Sequence, residues 1–151
     1  MRLDIAITLG ALTIVSCRPA WAQRQTLNLQ NPQWFQIEGS NGHYINDTDV
    51  IGFGGYRTGY REFDLITPSG SYARLRGDCV IWDVADVRYG EFVSDNKVQY
   101  TDAEPGEFGV FEYRSSSEFE QAIVQYVCEY EDNRVNREAI TSSAAILGEQ
   151  Q

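Results

Sequence analysis

Between Trp34 and Thr101 the chain is a succession of short runs cut by turn clusters, and after Ser117 the apolar spacing becomes that of a helix. This change of period limits the fold more than any other feature. WFQIE at 34–38 alternates, as a strand with one buried face does. Gly39-Ser40-Asn41-Gly42 follows and ends in Asn-Gly, a pair suited to the positive φ angles of a tight hairpin. His43–Asn46 predicts a second strand, Asp47-Thr48-Asp49 a turn, and Val50–Phe53 a further strand. Gly54-Gly55 mark a turn or bulge, and the aromatic-rich run Tyr56–Thr67 reads as a long strand closed by Pro68-Ser69-Gly70. Ser71–Ala85 predicts the central strand, bulged near Gly77. Arg88–Val93 and Lys97–Thr101 flank the turn Ser94-Asp95-Asn96, Pro105-Gly106 lies in a loop, and Phe108–Tyr113 predicts a last strand.

The helical part begins at Ser115-Ser116-Ser117, which with Glu118 and Glu120 offers two capping boxes. Phe119, Ala122, Ile123, Val124, Tyr126, Val127 and Tyr130 recur at helical spacing. Cys128 falls at the edge of this apolar arc, within reach of a strand, and Asp132-Asn133 ends the helix. The expected fold class is therefore α+β: an antiparallel β-sheet meander with one C-terminal α-helix packed on it and tethered by a Cys79–Cys128 disulfide.

Residues 1–22 have the zones of a signal peptide, with Arg2 at the start, an apolar Ile5–Val15 and an Ala20-Trp21-Ala22 cleavage site. The apolar run is too short to span a bilayer, which takes about 20 residues. Ile14-Val15-Ser16-Cys17 offers a second cut, a loose lipoprotein box in which Cys17 would carry lipid. Both cuts leave Cys79 and Cys128 as an even pair in an oxidising compartment, where a disulfide persists. The expected layout is a signal peptide at 1–22, a polar leader at 23–33, one domain at 34–132 and a flexible tail at 133–151. The mature protein is expected outside the cytoplasm: periplasmic, at the cell surface or secreted, with a lipid anchor as the variant.

The chain carries 12 basic and 22 acidic residues, and removal of residues 1–22 leaves 10 and 21. Such an acidic chain lacks the basic patch that nucleic acid requires, and it is repelled by anionic lipid. A partner surface for it is expected to be basic or cationic.

The order of these landmarks resembles that of the bacterial surface-adhesin protein E-like family. The matching residues are Trp34-Phe35-Gln36-Ile37, then Tyr44-Ile45-Asn46-Asp47-Thr48-Asp49-Val50, Asp78-Cys79, and Ser117 with Ala122 and Val127-Cys128. The resemblance spans Trp34 to Cys128. Asn46 stands where that family usually has aspartate, Asp49 where it has serine, and Phe111 where a tryptophan is common ahead of the helix. The resemblance implies an antiparallel sheet with a disulfide-tethered helix in a surface or periplasmic protein. It transfers no binding residues.

Candidate sites are few. Tyr56, Tyr60 and Phe63 offer an aromatic surface interleaved with Arg57 and Arg61, and Tyr56, Arg57, Tyr60 and Arg61 are the expected binding surface for an extracytoplasmic protein or glycan. Core and cross-strand packing is the competing reading of the same rings. Arg76-Gly77-Asp78 spells the integrin tripeptide but runs into a predicted strand. Asn46, Asp47 and Asp49 resemble half of a calcium loop without its glycine and distal glutamate in register, and read as a capped turn. Gly52-Phe53-Gly54-Gly55 lacks the Lys-Ser/Thr ending of a phosphate loop. His43 is the only histidine, and the carboxylate pair Asp83 and Asp86 is of a kind that an acidic chain offers by chance. No catalytic residue, metal or cofactor is expected. The expected function is a non-enzymatic, adhesin-like binding module of the envelope or surface. The alternative is a structural or stress-related periplasmic protein without a dedicated ligand.

Overall fold

The computed structural model describes residues 23–53, 59–106, 110–129 and 139–149. Their strands are β1 (Gln25–Asn28), β2 (Trp34–Gln36), β3 (Tyr44–Asn46), β4 (Ile51–Phe53), β5 (Tyr60–Ile66), β6 (Ser71–Asp78), β7 (Val84–Ser94) and β8 (Lys97–Asp102). All join one antiparallel sheet in the order β1-β8-β7-β6-β5-β3-β2, with β4 pairing beside β3 on β5. Two short helices follow, α1 (Glu118–Cys128) and α2 (Ser143–Glu149). The protein is thus mostly antiparallel sheet. No helix among the described residues is long and apolar enough to cross a membrane.

β1 and β2 lie at opposite edges of the sheet, yet only residues 29–33 separate them. Six Cα steps reach at most about 20–22 Å, so the sheet must curl until its edges approach. Alternation then sorts the side chains between an inner and an outer face. On the inner face Trp34, Ile66, Tyr72, Val98 and Tyr100 form one cluster with Leu29 and with Ile146 from α2. On the outer face Ile45, Phe63, Leu65, Leu75 and Val84 form the other, closed by Ile123, Val124, Tyr126 and Val127 of α1.

α1 is fixed at both ends. Cys128 bonds Cys79 just beyond β6, with the Cα atoms 5.5 Å apart, within the roughly 7 Å that a bridge allows. At the other end Arg114 exchanges two backbone bonds with Val84 at 2.8 and 3.1 Å. Its guanidinium grips both oxygens of Glu120 at 2.7 and 3.0 Å, while the N–H and hydroxyl of Ser117 donate to Oε2. Burial pushes the Glu120 carboxyl up, but these donors outweigh it and hold the group at about 2.

Several elements differ from the sequence expectation. Gln25–Asn28, read as part of a leader, is an edge strand, because β8 offers it a full register from Gln25↔Tyr100 to Asn28↔Lys97. Ser71–Ala85 is two strands: after Asp78 the chain turns through Cys79–Asp83, and the irregularity in the ladder falls at Arg74/Leu75, not at Gly77. Within Phe108–Tyr113, residues 108 and 109 lie outside the described ones and 110–113 form no strand. The tail at 133–151 contains an ordered segment. Ile140 exchanges backbone bonds with Trp34, Ile146 is fully buried, and Asp95 Oδ1 accepts from Ser142 Oγ at 2.9 Å and the Ala144 N–H at 3.2 Å. Asn96 of the same turn receives the Ser143 N–H at 3.0 Å and donates its own N–H to Ser143 Oγ at 2.8 Å. A seven-residue helix is too short to persist alone; this turn and the Ile146 contact hold it.

Two outcomes follow. Cys128→Ala should lower stability by about 2–5 kcal/mol, read as a drop in melting temperature that reductant does not increase further. Glu120→Gln should cost about 0.5–2 kcal/mol, the range for losing a helix cap. The folded carboxyl lies below the unfolded glutamate value of about 4.3, so its contribution is complete above that pH and fades as pH falls toward the folded value. Denaturant melts at successive pH values should show the variant losing this part of the acid dependence.

Candidate functional site

Residues 1–22 lie outside the described residues, and with them the expected signal peptide and Cys17; so do Tyr56 and Arg57. Tyr60 and Arg61 do not share a surface. They are successive residues of β5 and therefore point to opposite faces. Arg61 lies on the outer face over Gly52, where an added Cβ would come within 3.1 Å of its guanidinium. Tyr60 lies on the inner face, with the Arg76 guanidinium 4.1 Å from its centroid and 4.1 Å from that of Phe111.

Arg76 opens a ladder of ions across the inner face. It bonds Glu62 through Nε at 2.9 Å and also through Nη2. Arg74 reaches Asp64 at 2.9 Å and Glu62 at 3.4 Å, and Tyr72 donates to Asp64 at 2.6 Å. Arg88 approaches Asp102 at 3.3 Å and stacks on Tyr100 at 4.6 Å. Burial, then the charge of Asp64, pushes the Tyr72 hydroxyl far above its ordinary range, so it stays a donor. The ladder sets three guanidiniums against three carboxylates. It holds no activated nucleophile, and the rings and ions of this face bind one another.

The other sequence candidates resolve into structure. Gly77 of the integrin tripeptide is buried in β6, where an added Cβ would lie 2.9 Å from Val124 Cγ2. Asn46 caps the 3-10 turn Asp47–Asp49, its Oδ1 accepting from Gln33 N–H, Thr48 N–H and the Thr48 hydroxyl. His43 is buried against Phe119, with centroids 5.0 Å apart. Asp86 pairs with Arg114. Among the described residues no group of three metal-capable side chains converges.

Among the described residues, part of the outer face stays uncovered. The α1 cluster lies over β3, β5 and β6, and beyond Ala73 the pairs Ala73↔Tyr89↔Thr101 and Ser71↔Glu91↔Gln99↔Thr26 continue across β7, β8 and β1. Tyr89 is 56% exposed there. Arg24, Ser71, Tyr89, Glu91, Gln99 and Thr101 line a depression of about 300 Å³, with Tyr72 and Gly90 beneath them. Arg24 donates to Gln99 at 3.4 Å. This surface offers one aromatic ring, two hydroxyls, an amide, a carboxylate and a guanidinium on a rigid ladder. Its volume is at the lower limit of small-ligand sites, about 300–1,000 Å³. Sequence reasoning missed it, since exposed polar residues alternating along a strand look like ordinary solvated surface; Tyr89 was its one visible signal.

No family model, curated protein or solved structure matches the chain. Assignment of function therefore rests on the geometry.

β7 and β8 pack so closely at this site that a Cβ at Gly90 would lie 2.2 Å from the Gln99 carbonyl oxygen and 2.7 Å from Tyr100 Cα. Gly90→Ala should destabilise the fold by about 1–3 kcal/mol, as overpacking does, seen as a lowered urea midpoint with an unchanged slope.

Proposed function

We propose that this is an exported, non-enzymatic binding module of the cell envelope or surface. Its ligand is a glycan or an extended protein segment, taken on the outer face around Tyr89. The observation that carries the reading is a half-exposed tyrosine surrounded by polar side chains on a sheet surface that neither helix covers. An aromatic ring supplies a flat apolar contact at low entropic cost, and the neighbouring groups supply directional hydrogen bonds. Glycan is favoured because the depression is polar and shallow.

Export is supported by the disulfide, which persists outside the reducing cytoplasm, and by the three-zone start of the chain. Release after Ala22 and lipidation at Cys17 remain the two forms of that proposal; the intact mass of the protein from its own envelope separates them. The resemblance to the surface-adhesin protein E-like family supports the same reading through Trp34, Cys79 and Cys128.

A second reading, a structural or stress-related periplasmic protein without a dedicated ligand, draws on the inner ladder, where three arginines pair with three carboxylates. The two readings part at Tyr89. Glycan-array screening of the intact protein, followed by calorimetric titration of the best glycan, should show saturable binding that falls about tenfold or more in Tyr89→Ala, the effect of losing one anchoring ring. The melting temperature should stay unchanged because the ring is exposed. Absence of any specific glycan or peptide ligand, with Tyr89→Ala behaving as wild type, favours the second reading.

A further inference from the structure

We infer that the turn from Cys79 to Asp83 is a preformed wedge, presenting Val80 and Ile81 to an apolar socket with a basic rim on a partner protein. This inference does not rest on the outer-face site, which lies toward the Ser71 and Glu91 end of β6 and β7, whereas the turn joins their opposite ends.

Val80 is 62% and Ile81 59% exposed, two consecutive branched aliphatics at the apex of a short turn. A connection whose only task is to reverse the chain takes polar residues or glycine there. Here Trp82 adopts φ +66°. That left-handed conformation is strained for a bulky residue and persists only where its surroundings impose it. They do so from several sides. Asp78 Oδ1 accepts the N–H groups of Val80 and Ile81 at 2.7 and 3.1 Å, and its carbonyl accepts that of Trp82 at 3.0 Å. Asp78 N–H donates to the Asp83 carbonyl at 2.9 Å, Cys79 N–H to that of Gly59 at 2.9 Å, and the Ser116 hydroxyl to that of Trp82. The disulfide ties the base of the turn to α1. An apolar pair held this firmly is ordered before it meets anything, and preorganisation of that kind lowers the entropic cost of docking.

Charge selects the occupant. Asp83 closes the turn whose tip is Val80 and Ile81, and the chain as a whole has a net charge of −10. An anionic bilayer repels such a wedge, as does the same acidic tip on a second copy. A socket that buries the two aliphatics and surrounds them with Lys or Arg is complementary on both counts.

The test uses the full chain in its own cells, with Ile81 replaced by a photo-reactive aromatic residue. A parallel chain carries the same probe at Val93, which is 53% exposed and near the other end of β7. Light should link position 81, and not position 93, to one discrete protein. Val80→Asp in the same chain should reduce that product about tenfold or more, and salt well above physiological strength, where screening falls below about 8 Å, should reduce it too. A melting temperature unchanged by Val80→Asp shows that the loss is not one of folding. Equal products from both positions, links only to a second copy, or no product at 81 would overturn the inference. Flotation with phosphatidylcholine or phosphatidylglycerol vesicles that depends on Val80 would overturn it in favour of a membrane.

Discussion

The pairing of β5 with β6 is the interaction on which both cores depend. Its register runs unbroken from Tyr60↔Asp78 to Ile66↔Tyr72. Phe63, Leu65, Ala73 and Leu75 consequently face α1, while Asp64, Ile66, Tyr72 and Arg74 face into the curl. A slip of one residue would turn one strand over against the other. With β6 held in place, it would put Asp64 under Val124 and Val127, and Phe63 and Leu65 among the ions of the inner face. Because both faces are covered, the register is specified twice, which a sheet with one solvated face does not achieve.

The inner face joins two unlike environments on the same strands. Toward the turn between β5 and β6 it is apolar, with Ile66 and Tyr72 under Ile146. Toward the Cys79 end it is ionic, with Glu62 bonded to Arg76. Tyr72 sits at the junction, its ring in the apolar cluster and its hydroxyl on Asp64. Buried ion pairs of this kind add little net stability compared with well-packed apolar residues, because desolvation offsets their attraction. Breaking one is costly, so they act chiefly against alternative pairings of the strands.

The parts of this architecture that were legible in the sequence are those with strong local chemistry. Thr67–Gly70 closes its hairpin with Gly70 at φ +81°, and Ser117 with Glu120 opens α1. The even pair Cys79 and Cys128 indicated the staple. What escaped is held by partners distant along the chain. β1 has a single apolar residue, Leu27, in four, and becomes a strand because β8 supplies the ladder. α2 is stabilised by Asp95 and Asn96, some 47 residues upstream of the serines they bond. The break at Cys79–Asp83 was hidden by Val80, Ile81 and Trp82, which continue an apolar strand pattern while the Asp78 side chain bends the backbone away from it. Of the expected binding surface, the Tyr60–Arg61 pair failed for a simple reason: neighbours in a strand cannot face the same way.

The curl also decides where recognition could take place. It turns the face with the most charge and the most rings inward, where each guanidinium meets a carboxylate and two of them also meet a ring. Sites must then be sought where side chains are held in place without serving the core. Two such places stand out among the described residues. On the outer face the ladder fixes Tyr89 and Glu91 in the open. At the end of β6, seven polar or covalent constraints hold a turn whose Val80 and Ile81 side chains belong to neither cluster. Order of that kind in an exposed apolar turn exceeds what chain reversal requires, and it is the physical reason to look for a partner there.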